Sequence, residues 1–224
     1  MSFIRNTEIL SKSSPKVVCV GRNYADHAKE MNSPITAEPI LFLKPASSLT
    51  TFEGAIAIPS GLGSVHHELE IALLVGDKIS KAEPSQALNN IIGVGLGIDL
   101  TLRDLQKTLK SNGHPWERAK SFDDSCWLSD FYSVDELNST LAESHFKFTL
   151  QKNGVTQQQG QSEQMIFSMA DLTAYISQFF TLETGDIILT GTPSGVGPVE
   201  TGDALSASLV VGQKTLVSCQ CSIK

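Results

Sequence analysis

The stretch VHHELEIALLVG, residues 65–76, decides how the chain is read. Its aliphatic density predicts a core β-strand, yet two carboxylates, Glu68 and Glu70, stand two apart within it. Strand side chains alternate between faces, so both acids share one face with Ala72 and Leu74, while Leu69, Ile71, Leu73 and Val75 take the other. Two like charges this close raise each other's pKa and are costly to desolvate, so a buried pair demands a cation or a shared proton. A hard divalent ion satisfies both acids. A strand end whose acids face solvent or pair with Lys and Arg also satisfies them, and the spacing alone leaves the two readings level. A third acid bears on the choice: Asp99 follows GVGLGI (93–98), where small residues let backbone and ligand approach closely, and it precedes a predicted helix. By itself, an Asp in that place is as readily a cap or turn residue.

Working outward, residues 52–76 read as a strand, a Gly/Pro turn and the acid-bearing strand. KVVCVGRNYADHAKEM (16–31) changes period at Gly21, from a β-branched strand to a helix capped by Asn23 with Asp26 three residues on. ILFLK (40–44) is a further strand. In LTLRDLQKTLK (100–110), Thr101 with Asp104 resembles a capping box, and Leu102, Leu105 and Leu109 form a helical apolar stripe. Asn153-Gly154 marks a tight hairpin, MADLTAYISQFF (169–180) a helix, residues 185–199 a strand with a Gly-rich loop, and residues 204–223 a closing hairpin. Strands dominate and hairpins outnumber βαβ signals, so the expected class is α+β on a mixed or antiparallel sheet.

The 224 residues, 41% hydrophobic, suffice for one large domain, and no linker or repeat divides them. A net charge of -7 argues against a broad nucleic-acid or anionic-membrane surface. No apolar run approaches a bilayer span and MSFIRNTEIL lacks a secretory core, so a cytoplasmic protein is expected. Cys19, Cys126, Cys219 and Cys221 show neither a CxxC pair nor zinc spacing and are read as reduced thiols.

VGRNYADHAKEM (20–31), LFLKP (41–45), HHELEIALLVG (66–76), GIDLTLRDLQ (97–106), ERAKSFD (117–123) and GDIILTGTPSGVG (185–197) together resemble the fumarylacetoacetate hydrolase superfamily, in order and across nearly the whole chain. The length and the tight N-terminal motif look most like its compact acylpyruvase and oxaloacetate decarboxylase subgroup. The resemblance implies an α+β mixed β-sheet roll with few short helices. It implies one catalytic domain over 1–224, about residues 1–50 forming a strand, helix and lid segment, in a protein that forms homodimers. It further implies Mg²⁺ or Mn²⁺ held by Glu68, Glu70 and Asp99, with His66 behind the ligands. Hard oxygen ligands with open positions suit such an ion.

His27 and Glu30 lie three apart on the predicted helix and can meet on one face; an exposed helical pair is the commoner case for such spacing, and the resemblance makes them a water-activating dyad on a mobile segment. By the same resemblance Lys120 points into the site to stabilise an oxyanion, Lys44 and Arg22 reach substrate oxygens, and Gln106 and Thr192 border the substrate. The Gly-rich GTPSGVG (191–197) reads either as a plain turn, the commoner case, or as a loop presenting backbone N–H groups to an anion, and it lacks the lysine of a nucleotide-binding loop. The match thins at DDSCWLSDF (123–131), where Asp124 and Trp127 are expected to alter the pocket wall.

The leading expectation is metal-dependent hydrolysis of an acylpyruvate: His27 deprotonates a water that attacks C4 of a 2,4-dioxo acid, and the C3–C4 bond breaks to give pyruvate and a carboxylic acid. The alternatives are decarboxylation or keto–enol tautomerisation of oxaloacetate at the same site, and, in a different class, a non-catalytic metal-binding protein.

Overall fold

Leu69–Val75 is buried along its whole length and is the hub of the structure, a computed structural model that describes residues 3–12 and 14–224. It pairs antiparallel with Ile91–Asp99 on one side and with Ile187–Leu189 on the other. From these three strands a nine-stranded sheet extends outward, through Phe131–Ser133 to Phe3–Ile4 at one end and through Val17–Gly21 to Ile40–Lys44 at the other. Ile187–Leu189 runs parallel to Val17–Gly21, so the sheet is mixed. Cys126–Leu128 also pairs with Ile91–Asp99 and carries Leu49–Thr51. A five-stranded sheet covers Val155–Gln161, Phe146–Lys152, Ala204–Val211, Lys214–Ile223 and Glu53–Ile56, and a three-stranded one joins Gly197–Pro198, Val65–His67 and Thr101–Leu102. This is the α+β β-roll expected from the sequence.

Alternation along Leu69–Val75 feeds two separate cores. Leu69, Ile71, Leu73 and Val75 enter the larger, with Phe146, Phe148 and Leu209 of the five-stranded sheet and Leu172 and Ile176 of the helix Met169–Phe179. Ala72 and Leu74 enter a smaller one with Val17, Cys19, Phe42 and Ile187. Burying each such aliphatic side chain contributes roughly 1.5–3 kcal/mol. Both faces of the hub strand are therefore dry, and a charge on either face needs a partner close by.

Several local expectations change in the fold. Residues 65–76 do not form one strand: the chain leaves the three-stranded sheet after Val65–His67 and enters the large sheet at Leu69, with Glu68 at the break. There the Gln158 side chain replaces a ladder partner, its Oε1 accepting from Leu69 N at 2.9 Å. Glu53–Ile56 belongs to a different sheet from Leu69–Val75, pairing parallel with the C-terminal strand. Asn23 does not cap the helix Ala25–Glu30, whose N-cap is Tyr24. Its amide instead donates to the carbonyls of Phe167 and Thr190 and accepts from Phe167 N, stitching three segments together. The Thr101–Asp104 box is absent too, because Asp104 accepts from Ser64 N at 3.0 Å and Thr101 is taken up by Lys120. The glycines before Asp99 admit neighbouring side chains rather than a ligand; a Cβ on Gly97 would lie 2.5 Å from Leu189.

Other expectations hold. Asn153 and Gly154 have φ of 53° and 78° and close the hairpin Lys152↔Val155. Leu105 and Leu109 pack from the helix Arg103–Ser111 against the larger core, while Leu102, buried in the same core, precedes the helix in the strand Thr101–Leu102. All four cysteines are free thiols. Among the described residues no helix is long and apolar enough to cross a membrane.

Candidate metal centre and active-site cleft

The register of the hub pair brings the three acids together. Glu70 lies opposite Gly97 and Leu69 opposite Ile98, so Asp99 ends beside Glu68, whose carbonyl accepts its N–H at 2.8 Å. One carboxylate oxygen from each of Glu68, Glu70 and Asp99 lies within 4.8 Å of the others. All three are buried, at 5%, 2% and 1% exposure.

Three cations approach the cluster from below and beside it. Lys120 Nζ donates to Glu68 Oε2 at 2.8 Å, Asp99 Oδ2 at 2.5 Å and Thr101 Oγ1 at 2.6 Å. Arg103 Nη2 donates to Glu68 Oε1 at 2.5 Å. Lys44 Nζ pairs with Asp99 Oδ1 at 2.9 Å. Burial penalises the Glu68 carboxylate, but Lys120 and Arg103 outweigh it and hold Glu68 well below the usual carboxylate range. Burial also opposes the Lys120 charge, and Asp99 and Glu68 more than restore it, raising the ammonium above the ordinary lysine value.

Glu70 is left over. Burial pushes its carboxyl far up, Asp99 and Glu68 push it further, and the Gly191 N–H at 2.6 Å is the hydrogen bond that supports it. Asp99 Oδ1 is likewise buried without an aligned hydrogen bond, although Lys44 is close. A cluster with an unneutralised acid, all donors being hard carboxylates, fits a divalent cation such as Mg²⁺ or Mn²⁺.

Above this floor opens a cleft of about 500 Å³, including the part open to solvent. Phe42 and Trp116 line one wall, and the helix Arg103–Ser111 presents Arg103, Gln106 and Lys110, at i, i+3 and i+7, to the same space. His27 Nδ1 lies 3.2 Å from Glu30 Oε2, and the Glu30 carboxylate accepts from Gly195 N at 3.0 Å. The Gly-rich loop thus turns its N–H groups to anions, but to the chain's own: Gly191 to Glu70 and Gly195 to Glu30. Thr192 Oγ1 donates to the Leu69 carbonyl at 2.8 Å and accepts from Gln158 Nε2 at 2.7 Å, while Gln106 Oε1 accepts from Arg103 Nη1 at 2.6 Å.

His27, Arg22, Gln106, Lys120 and Thr192 therefore border one cleft with the three acids. Lys120 sits within the carboxylate cluster. Lys44, expected at substrate oxygens, is fully buried away from the cleft lining and divides its ammonium among Asp99, Ser125 and the Lys120 carbonyl. His66 does not line the cleft; burial and then Arg103 lower it to about 4, and its Nδ1 has no hydrogen-bond partner. Trp127 is also away from it, its indole donating to the Asp124 carbonyl inside the core; the aromatic wall is Trp116. Arg103, Lys110, Trp116 and Gln158 were not singled out in the sequence. For Arg103 and Lys110 the signal was present, as polar residues repeating with Gln106 on the helix face beside the leucines.

A buried three-carboxylate floor with a His–Glu pair at the rim of the cleft is an arrangement suited to a metal-dependent enzyme. The chain belongs to the fumarylacetoacetate hydrolase family: the family model described as Fumarylacetoacetate (FAA) hydrolase C-terminal matches residues 16–223. It is 48% identical over 198 residues to an oxaloacetate tautomerase of Escherichia coli, covering 86% of this chain and 87% of that one. A mitochondrial oxaloacetate decarboxylase of Dictyostelium discoideum is 40% identical over 195 residues, covering 87% and 88%. The crystal structure of a fumarylpyruvate hydrolase from Pseudomonas aeruginosa in complex with Mn²⁺ and pyruvate superposes with a TM-score of 0.84 at 34% identity, covering 93% and 88%.

Proposed function

We propose that the protein is an oxaloacetate keto–enol tautomerase that uses Mg²⁺ or Mn²⁺. The observation that carries this reading is the 48% identity, along most of both chains, to the oxaloacetate tautomerase of Escherichia coli. Tautomerisation thereby displaces acylpyruvate hydrolysis, the leading expectation from the sequence, which is supported at lower identity by the fumarylpyruvate hydrolase of Pseudomonas aeruginosa. The homodimer and the cytoplasmic setting implied by the family resemblance are carried as parts of the same proposal.

Tautomerisation moves one proton from C3 of the oxo acid to its C2 oxygen. A divalent ion held by Glu68, Glu70 and Asp99 would supply Lewis acidity that makes the C3 proton easier to remove. His27 is the group positioned to take that proton: Glu30 holds Nδ1, and Gly195 N–H holds Glu30, leaving the other ring nitrogen to the cleft. Lys120, kept charged among the acids with its three N–H groups taken by Glu68, Asp99 and Thr101, offers positive charge to the oxygen that receives a proton. Phe42 and Trp116 exclude water from one side, which favours proton transfer over hydration.

The second reading rests on the same dyad, since a His steadied by a carboxylate also activates water for hydrolysis. The two are separated by following the enol absorbance of freshly dissolved oxaloacetate, and pyruvate release from acetylpyruvate, with the Mg²⁺-loaded protein. Enol equilibration well above the buffer-and-metal blank, lost in His27→Ala, supports the tautomerase; enol decay at the blank rate with pyruvate released from acetylpyruvate overturns it in favour of the hydrolase.

A further inference from the structure

Among the described residues, two cations at the mouth of the cleft have no acid of their own. Lys110 Nζ has the Ser33 hydroxyl at 3.5 Å and the Trp116 ring centroid at 5.9 Å. Arg22 donates to the Pro34 carbonyl at 3.2 Å. Among the described residues no carboxylate pairs with either side chain, in a chain whose 24 acids outnumber its 17 Lys and Arg. Burial, and then the nearby charges of Arg22 and Arg103, pull the Lys110 ammonium below its ordinary value. Arg22 itself holds a left-handed φ of 62°, a conformation that a non-glycine residue keeps only where its surroundings impose it. Like charges gathered in a half-buried cleft, at a cost in strain, await an anion.

The position of Lys110 says which part of a ligand that anion is. Arg103, Gln106 and Lys110 form one face of a helix, and Arg103 touches Glu68 of the carboxylate floor. Lys110 lies about 10 Å further along the helix axis, at 1.5 Å of rise per residue. A 2-oxo acid whose carboxylate and C2 oxygen face the floor sends its far end toward Lys110. We propose that Lys110, with Arg22 beside it, is the specificity-determining residue that receives the distal carboxylate of a dianionic 2-oxo acid. For the identity of that dianion as oxaloacetate, the assignment rests on the tautomerase reading. A monoacid with an apolar tail would leave both cations unpaired in a partly dehydrated site, so the cleft selects against it.

Calorimetric titration of the Mg²⁺-loaded protein with two unreactive 2-hydroxy acids tests this, because malate carries the second carboxylate and lactate lacks it. The wild type is expected to prefer malate by about tenfold or more, the effect of a charge-assisted hydrogen bond. Lys110→Met should lose about tenfold in malate affinity and leave lactate within about twofold, and Lys110→Arg should retain the preference. Equal losses for both acids, an unchanged malate affinity in Lys110→Met, or no malate preference in the wild type overturns the assignment. A wild type that prefers malate yet does not speed oxaloacetate enolisation sinks the tautomerase reading and leaves the carboxylate site standing.

Discussion

Replacing Lys44 by Met removes the counter-ion beneath the carboxylate floor. Lys44 is fully buried, with Asp99 Oδ1 at 2.9 Å and Ser125 Oγ and O at 3.0 and 3.1 Å. Met keeps most of the volume of the stem, so packing changes little and the loss is electrostatic. Breaking a buried pair by deleting one partner costs about 3–5 kcal/mol, because the other charge is left behind. Lys120 still holds Asp99 Oδ2, which sets the expectation at the lower end, about 3 kcal/mol. The bonds to Ser125 belong to the same loss and are not added to it. In a chain of 224 residues each kcal/mol moves the unfolding midpoint by about 2–4 °C, so Lys44→Met should melt about 6–12 °C lower. Scanning calorimetry of the EDTA-treated proteins measures this directly. Repeated with saturating Mn²⁺, it should show a larger gain in the variant than in the wild type, since the ion binds only the folded state and supplies the missing positive charge at Asp99. A midpoint within about 2 °C of wild type refutes the structural role of the pair. An equal Mn²⁺ gain in both proteins refutes the idea that Lys44 and the ion act on the same carboxylate.

Glu70→Gln keeps an acceptor for Gly191 N–H but removes the unneutralised acid, so Mn²⁺ affinity by titration calorimetry should fall by more than about a hundredfold while the metal-free melting midpoint holds or rises. A retained affinity would remove Glu70 from the ligand set. Gly195→Ala places a Cβ against the Gln157 carbonyl oxygen at a φ of +94°, and should cost about 2 kcal/mol in urea unfolding along with the hold on Glu30. An unchanged urea midpoint would mean that the loop relaxes freely. For Cys221, burial pushes the thiol up to about 12. The unfolded thiol ionises near 8.5, so the unfolded chain releases its proton first; this contribution is intact below about pH 8.5 and lost as pH rises toward 12. Stability of the wild type should therefore decline more steeply than that of Cys221→Ala between about pH 9 and 11, and parallel declines in urea midpoint would count against it.

The hub strand could be read from composition and alternation alone, and so could the hairpin at Asn153-Gly154, because both signals are local. The break at Glu68 could not. It depends on Gln158, ninety residues away, standing in for a ladder partner of Leu69, and nothing in VHHELEIALLVG announces a change of sheet. Asn23 and Thr101 carry the same lesson. Each has the side chain of a helix cap, and each is claimed by a distant partner, Phe167 and Thr190 for one and Lys120 for the other. Capping is a weak local preference that a buried, fully satisfied polar contact outweighs. Of the site residues, the three acids raised a question that spacing could not answer, because their convergence within 4.8 Å depends on the register of two paired strands. The family resemblance carried Lys44 into the cleft, whereas the fold sets it behind Asp99. A basic residue reads the same in sequence whether it faces a substrate or a neighbouring carboxylate.

The floor and the walls of the cleft come from different kinds of structure. Glu68, Glu70 and Asp99 are fixed by strand register between two dry cores, where a shift of one residue would turn the acids into aliphatic packing. Arg22, Lys110 and Trp116 stand on a turn, a helix end and a loop, where a substitution disturbs little beneath it. Such a construction allows one part to drift while the other is held, so the walls can be refitted to another ligand without rebuilding the floor.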